Sequence, residues 1–155
     1  MDLKEDLLTE QVSHLDLTGF CQIESGTTIQ ETIEKMRGEN VNVSLIMEHG
    51  TLVGILTDRD VLRRVAGQKE VWGQPINTIM TPNPITIDPT ASAADALWLM
   101  DEKRIRNLPA VDGSGKVVGN MTHQAIINYL AARYPTEILN LPPDPDQIAD
   151  QAEGG

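Results

Sequence analysis

The chain repeats itself, and an internal repeat constrains a fold more than any single motif does. At an offset of 64 residues, Val12-Ser13-His14-Leu15 falls on Ile76-Asn77-Thr78-Ile79, and Ile23 falls on Ile87. The stripe Ile29, Ile33, Met36 falls on Ala93, Leu97, Met100, with helical spacing in both copies. Leu45-Ile46-Met47 falls on Pro109-Ala110-Val111. One extra residue then moves the offset to 65, where Gly54 meets Gly119, Thr57 meets Thr122, and Val61, Leu62, Val65, Ala66 meet Ile126, Ile127, Leu130, Ala131. Independent drift would not hold two helical stripes, a glycine and a threonine in one register.

Each copy reads as strand, helix, strand, turn, strand, helix. Glu48-His49-Gly50 and Asp112-Gly113-Ser114-Gly115 are the expected hairpin turns, where glycine supplies the positive φ of a tight turn. One copy has too few strands to bury both faces of its sheet, so the two are expected to share a core. The fold class that follows is mixed α/β (α+β), with repeats over 12–70 and 71–134 related by a pseudo-two-fold. A short amphipathic helix marked by Leu3, Leu7 and Leu8 is expected within 1–11, and a Pro- and acid-rich tail over 135–155. In that tail Ile138, Leu139 and Leu141 are apolar enough to dock on the module or on a partner chain.

A net charge of −11 over 155 residues repels polyanions, which speaks against a nucleic-acid partner. At 3% aromatic content there is no platform for stacking bases. No apolar run approaches the roughly 20 residues of a membrane span. The charged start MDLKEDLLTE has no signal-peptide core, and the lone Cys21 cannot form an internal disulfide, so a cytoplasmic protein is expected. His14, His49, His123 and Cys21 show no metal-ligand spacing. With no Ser/His/Asp grouping and no Lys-bearing phosphate loop, neither catalysis nor a required cofactor is expected.

The candidate chemistry lies where a strand runs straight into a helix, at GILTDRD over 54–60. A helix start presents unpaired N–H groups that suit an anion, and Thr57 adds a hydroxyl there. Asp60 adds acceptor oxygens, which suit the hydroxyls of a ribose. The same Thr-x-x-Asp spacing is that of a capping box, which needs no ligand. Gly54 and Gly119 mark a bulge or a close backbone approach, and a bound base would require the latter too. The second copy reads GNMTHQA over 119–125, with Ala125 in the place of Asp60 and Asn120 in the place of Ile55. Alanine accepts no hydrogen bond from a ribose, so this second cleft reads as degenerate. Arg59, Arg63 and Arg64 follow the first motif, and Lys103, Arg104 and Arg106 precede the last strands of the second copy. They read as a local anion site or as solvated helix faces.

GILTDRDVLRR at 54–64, IMTPNPITIDPTASAADAL at 79–97 and RIRNLPAVDGSGKVVG at 104–119 together resemble the CBS-domain pair, or Bateman module, over roughly Val12 to Arg133. The resemblance implies a stand-alone regulatory module. Its implied ligand is an adenine nucleotide such as AMP, ADP, ATP or S-adenosylmethionine, bound in the cleft of the first repeat and signalling to a protein target. It implies that Thr57, flanked by Asp58 and Arg59, contacts phosphate or ribose and that Asp60 holds the ribose hydroxyls. Arg106, three residues before Pro109, would reach the phosphates; its counterpart in the first repeat is the neutral Asn42. Residues near Ile23, Val43 and Ile55 are the expected slot for the base. Ile87, Thr122 and Ala125 take the matching places in the degenerate cleft, which is expected to be empty or much weaker. A two-fold homodimer through exposed helix faces is also expected, and Trp98 either widens a core-facing stripe or anchors that interface. The alternative is a ligand-free scaffold that assembles partners through its helical faces.

Overall fold

The computed structural model describes residues 2–134. The expected docking of Ile138, Leu139 and Leu141 lies outside the described residues. Helix α1 (Leu3–Thr9) starts where the Asp2 side chain accepts from the Glu5 N–H. The first repeat then runs β1 (Cys21–Glu24), α2 (Ile29–Gly38), β2 (Val43–Glu48), β3 (Thr51–Thr57) and α3 (Asp58–Arg64). The second runs β4 (Thr81–Pro82), α4 (Ala93–Lys103), β5 (Asn107–Val111), β6 (Val117–Thr122) and α5 (His123–Arg133). The hairpin turns form as their residues demand: His49 and Gly50 both take positive φ, and the Asp112 carboxylate accepts from Ser114 and Lys116.

The larger sheet has the order β1-β2-β3-β4, with β1 parallel to β2 and the other pairs antiparallel. The smaller sheet pairs β5 with β6. The strand expected around Ile87 is reduced to a single parallel bridge between Ile87 and Ala110. Pro84 and Pro89 flank it, and neither has the N–H that a longer ladder would use.

The pseudo-two-fold is written in the backbone. Val12 N donates to Ala91 O at 2.8 Å, and Ile76 N donates to Thr27 O at 2.7 Å. Ala93 N donates to Glu10 O at 2.7 Å, and Ile29 N to Gln74 O at 2.9 Å. Within each pair of bonds the residues are 64 apart, so the lead-in of each repeat is tied to the helix entry of the other. Val12, Ile29, Ile76 and Ala93 are wholly buried as a result.

Two details differ from the sequence pattern. The middle of each long helix buries Thr32 and Ala96, while Ile33 and Leu97 lie at the half-buried edge. Small side chains let each helix approach the sheet, and the Thr32 hydroxyl is satisfied by donating to Thr28 O at 2.9 Å. The two final helices also differ in length: α3 stops at Arg64, before a turn through Gly67 at φ +83°, while α5 runs on to Arg133. Leu62 and Ile127, aligned in the repeat, are both exposed.

Gly54 and Gly119 mark close approach, and the neighbour is the other repeat's lead-in. A Cβ on Gly119 would lie 2.3 Å from Leu17 Cβ and 2.8 Å from Leu17 O. A Cβ on Gly54 would lie 2.3 Å from Met80 Sδ. The close approach needs no bound base at either glycine.

Candidate functional site

A cleft of about 660 Å³ opens where the two hairpins and the two late helices meet. Its wall takes Val43 from the start of β2, Arg106 and Asn107 from the start of β5, and Thr122 and His123 from the start of α5. Asp16 and Gly19 of the first lead-in close one side. Of the residues expected around the first motif, Val43, Asp58 and Arg106 reach this cleft; of the second set, Thr122 and Ala125 do. Thr57, Arg59 and Asp60 are not on its wall. Ile23, Ile55 and Ile87 are buried in the core, each in a different apolar cluster.

The two strand-to-helix junctions look alike in sequence but differ in their hydrogen bonds. At α3 the capping box is complete. Thr57 N and Thr57 Oγ1 donate to Asp60 Oδ2 at 3.0 and 3.1 Å, and Asp60 N donates back to Thr57 Oγ1 at 3.3 Å. Asp58 N donates to Asn42 O at 2.9 Å, and Arg59 N donates to Asp58 Oδ1 at 2.8 Å. This first turn satisfies itself. Asp60 Oδ1 and Asp58 Oδ2 have no protein partner there among the described residues.

At α5 the turn stays open. Ala125 N donates to Thr122 Oγ1 at 3.0 Å, but no carboxylate answers it. The Thr122 hydroxyl proton and the N–H groups of His123 and Gln124 have no protein partner among the described residues. Open N–H groups at the start of an 11-residue helix present partial positive charge to the cleft.

The charged groups sort the same way. Arg106 is exposed and makes no ion pair or hydrogen bond among the described residues, so its planar fork is free to meet an anion. Arg64 is exposed, and its Nη1 donates to Ile79 O at 2.7 Å, which ties α3 to the second lead-in. The Thr18 hydroxyl and amide hold the Asp16 carboxyl below the usual range, so one cleft edge stays anionic. Among the described residues no group of three or more His, Cys, Asp or Glu is placed to hold a metal. Burial pushes the Cys21 thiol up, away from reactivity.

Sequence reasoning passed over Asn107. It stands on the cleft wall, and Asn120 behind it is fully buried and donates from Nδ2 to Asn107 Oδ1 at 3.2 Å. The repeat alignment carried the signal, because these two positions are Val43 and Ile55 in the first copy. Asn120 Oδ1 and His123 Nε2 are buried without a protein partner. Both residues belong to this corner of the molecule.

A CBS-domain family model matches residues 18–67 and 76–132. The chain is 32% identical over 117 residues to the CBS domain-containing protein YhcV of Bacillus subtilis, covering 76% of this chain and 78% of that protein. It is 35% identical over 123 residues to a homoserine O-acetyltransferase of Methanocorpusculum labreanum, but the match covers 79% of this chain and only 23% of that enzyme. Among solved structures it resembles the CBS domain pair of protein MJ0100 in complex with 5'-methylthioadenosine and S-adenosyl-L-methionine. That likeness has a TM-score of 0.71 and 28% identity, over 81% of this chain and 98% of the other. No helix among the described residues is long and apolar enough to cross a membrane.

Proposed function

Since this chain belongs to the CBS-domain family and carries two of its repeats in tandem, we propose that it is a regulatory module whose inter-repeat cleft binds an adenine nucleotide. One observation carries the reading: the open first turn of α5 and the unpaired Arg106 share one cleft wall. Together they suit an anionic group, in a chain whose net charge of −11 would otherwise repel one. The adenosine-type ligands of the MJ0100 pair support the class of ligand. On the α3 side the acid on the cleft wall is Asp58; Asp60 lies off that wall and is proposed as ribose anchor only for a ligand that reaches past it to the free Oδ1. The module binds without chemistry of its own and passes the signal to a protein target. An acidic chain with a buried thiol fits a cytoplasmic setting.

A homodimer completes the proposal. An apolar groove of about 530 Å³ between α1 and α4 is lined by Leu7, Leu8, Leu97 and Trp98, and Trp98 is 65% exposed. Exposed tryptophan beside leucine supports an interface through the helix faces.

Calorimetry with AMP, ADP, S-adenosylmethionine and 5'-methylthioadenosine tests the ligand. AMP should bind, and Arg106→Gln should weaken it by about tenfold or more, as loss of a charge-assisted hydrogen bond does. The same variant should leave 5'-methylthioadenosine, which has no phosphate, unaffected. No heat with any of the four would return the cleft to the scaffold reading.

A further inference from the structure

The two repeats differ at one wall position and at the residue packed behind it. Where the first repeat has Val43 on the wall and Ile55 in the core, both buried and apolar, the second has Asn107 and Asn120. The fold therefore does not need amides at these positions. Asn120 is wholly buried, and its Nδ2 donates to Asn107 Oδ1 at 3.2 Å. That bond occupies the acceptor end of the Asn107 amide and so sets which way the group faces. The donor end, Asn107 Nδ2, has no protein partner among the described residues and is not among the buried unpartnered atoms, so it is open where Asn107 meets the cleft. Asn120 Oδ1 is buried and unpaired. A fold that tolerates apolar residues here carries that unpaired oxygen for the sake of the orientation it gives Asn107.

We infer that Asn107 contacts the base of a nucleotide bound in this cleft, and that Asn120 is its positioning residue. Asn107 presents a fixed N–H₂ donor to an acceptor on the ring edge, such as a purine ring nitrogen. The inference rests on the nucleotide reading above and adds to it the group that reads the ring. It also separates the two sides at this one position: the first repeat presents the apolar Val43 there, and the second presents an amide that calls for a hydrogen-bond acceptor.

The test is a double-mutant cycle on the full chain with Asn107→Val, Asn120→Ile and both together. The double variant copies the wall that the first repeat already builds, so it should fold. AMP and 5'-methylthioadenosine are titrated by calorimetry, and the Asn107 side-chain amide signal, assigned by its loss in Asn107→Val, is followed by NMR. Asn107→Val should weaken both ligands by about fivefold, as loss of one neutral hydrogen bond does. Asn120→Ile should weaken both similarly, and should cost nothing further in the Asn107→Val background. The Asn107 amide signal should shift with either ligand. Unchanged affinity in Asn107→Val would overturn the inference. So would a loss for AMP alone, which would place the contact on phosphate, or a further loss from Asn120→Ile in the double variant. Wild-type protein that binds neither ligand would remove the nucleotide reading itself, and this inference with it.

Discussion

Gly54 and Gly119 occupy equivalent positions, yet replacing them with alanine should have unequal effects. In Gly119→Ala the new Cβ falls 2.3 Å from Leu17 Cβ and 2.8 Å from the Leu17 carbonyl oxygen. The obstacle is backbone, and the adjacent Asn120 N donates to that same oxygen at 2.9 Å. The lead-in must move and strain that bond. Overpacking of this kind costs about 1–3 kcal/mol, and the hydrogen bond contributes about 1 kcal/mol more. Reduced freedom of the unfolded chain returns about 0.4–1 kcal/mol. The net loss is roughly 1–3.5 kcal/mol. In Gly54→Ala the three atoms nearest the new Cβ all belong to the Met80 side chain, at 2.3, 2.9 and 3.0 Å. Methionine has three rotatable bonds and can swing aside, so the net loss is about 0–1 kcal/mol. At roughly 2–4 °C per kcal/mol for a domain of this size, Gly119→Ala should melt about 2–14 °C lower and Gly54→Ala no more than about 4 °C lower. Urea midpoints should rank the same way. Leu17 lies between Asp16 and Gly19 of the cleft wall, so Gly119→Ala should also weaken nucleotide binding. Equal losses in the two variants, or a Gly119→Ala protein as stable as wild type, would refute the assignment of these glycines to lead-in packing.

Asp60→Ala removes one half of the capping box and should cost about 1 kcal/mol of stability; if Asp60 also anchors the ribose, AMP affinity should fall by about tenfold, and unchanged affinity would take Asp60 out of the site. The Asp112 carboxyl is held below its usual range by the Ser114 hydroxyl and the Lys116 amide. A depressed folded-state value adds stability above the ordinary value of 3.8, and that stability is lost as pH falls through the lower folded value. Urea midpoints of Asp112→Asn should therefore fall less steeply than those of wild type on acidification below about pH 4, and parallel curves would count against the turn. Trp98→Asp should reduce the proposed dimer to monomer mass by light scattering at micromolar concentration; a monomer mass for the wild type itself would remove the homodimer.

Much of the fold was legible because the features that fix it are local and occur twice. The hairpin glycines, the capping threonines and the apolar stripes each specify one element, and the 64-residue offset says that the two sets pack as equals. The crossed lead-ins were not legible. Met80 and Leu17 read as ordinary apolar residues, and only the structure shows each set against the opposite repeat's glycine. Thr32 and Ala96 show the limit of pattern reading from the other direction. A threonine and an alanine carry little weight in an apolar stripe, yet both are wholly buried, as fully as Ile29 and Met100 in the same helices.

The site was legible as a place but not as a distribution of free hydrogen-bonding groups. Thr-x-x-Asp looks richer in ligand chemistry than Thr-x-x-Ala, because the carboxylate adds acceptors. In the folded protein that carboxylate is spent largely on its own threonine, through both the amide and the hydroxyl. Alanine at 125 reads as a loss, yet it is the reason the Thr122 hydroxyl proton has no internal acceptor. A motif therefore counts for binding by what remains unpaired after the helix has capped itself. By that measure the α5 side holds the free N–H groups of His123 and Gln124, the free Thr122 hydroxyl and the open Asn107 amide. The α3 side holds two free carboxylate oxygens, Asp58 Oδ2 and Asp60 Oδ1, and of these residues only Asp58 is on the cleft wall. An anion is drawn to donors, and a ribose hydroxyl to an acceptor. On the proposed nucleotide reading, the two repeats keep one backbone and offer a ligand different groups, donors from the α5 side and carboxylate oxygens from the α3 side.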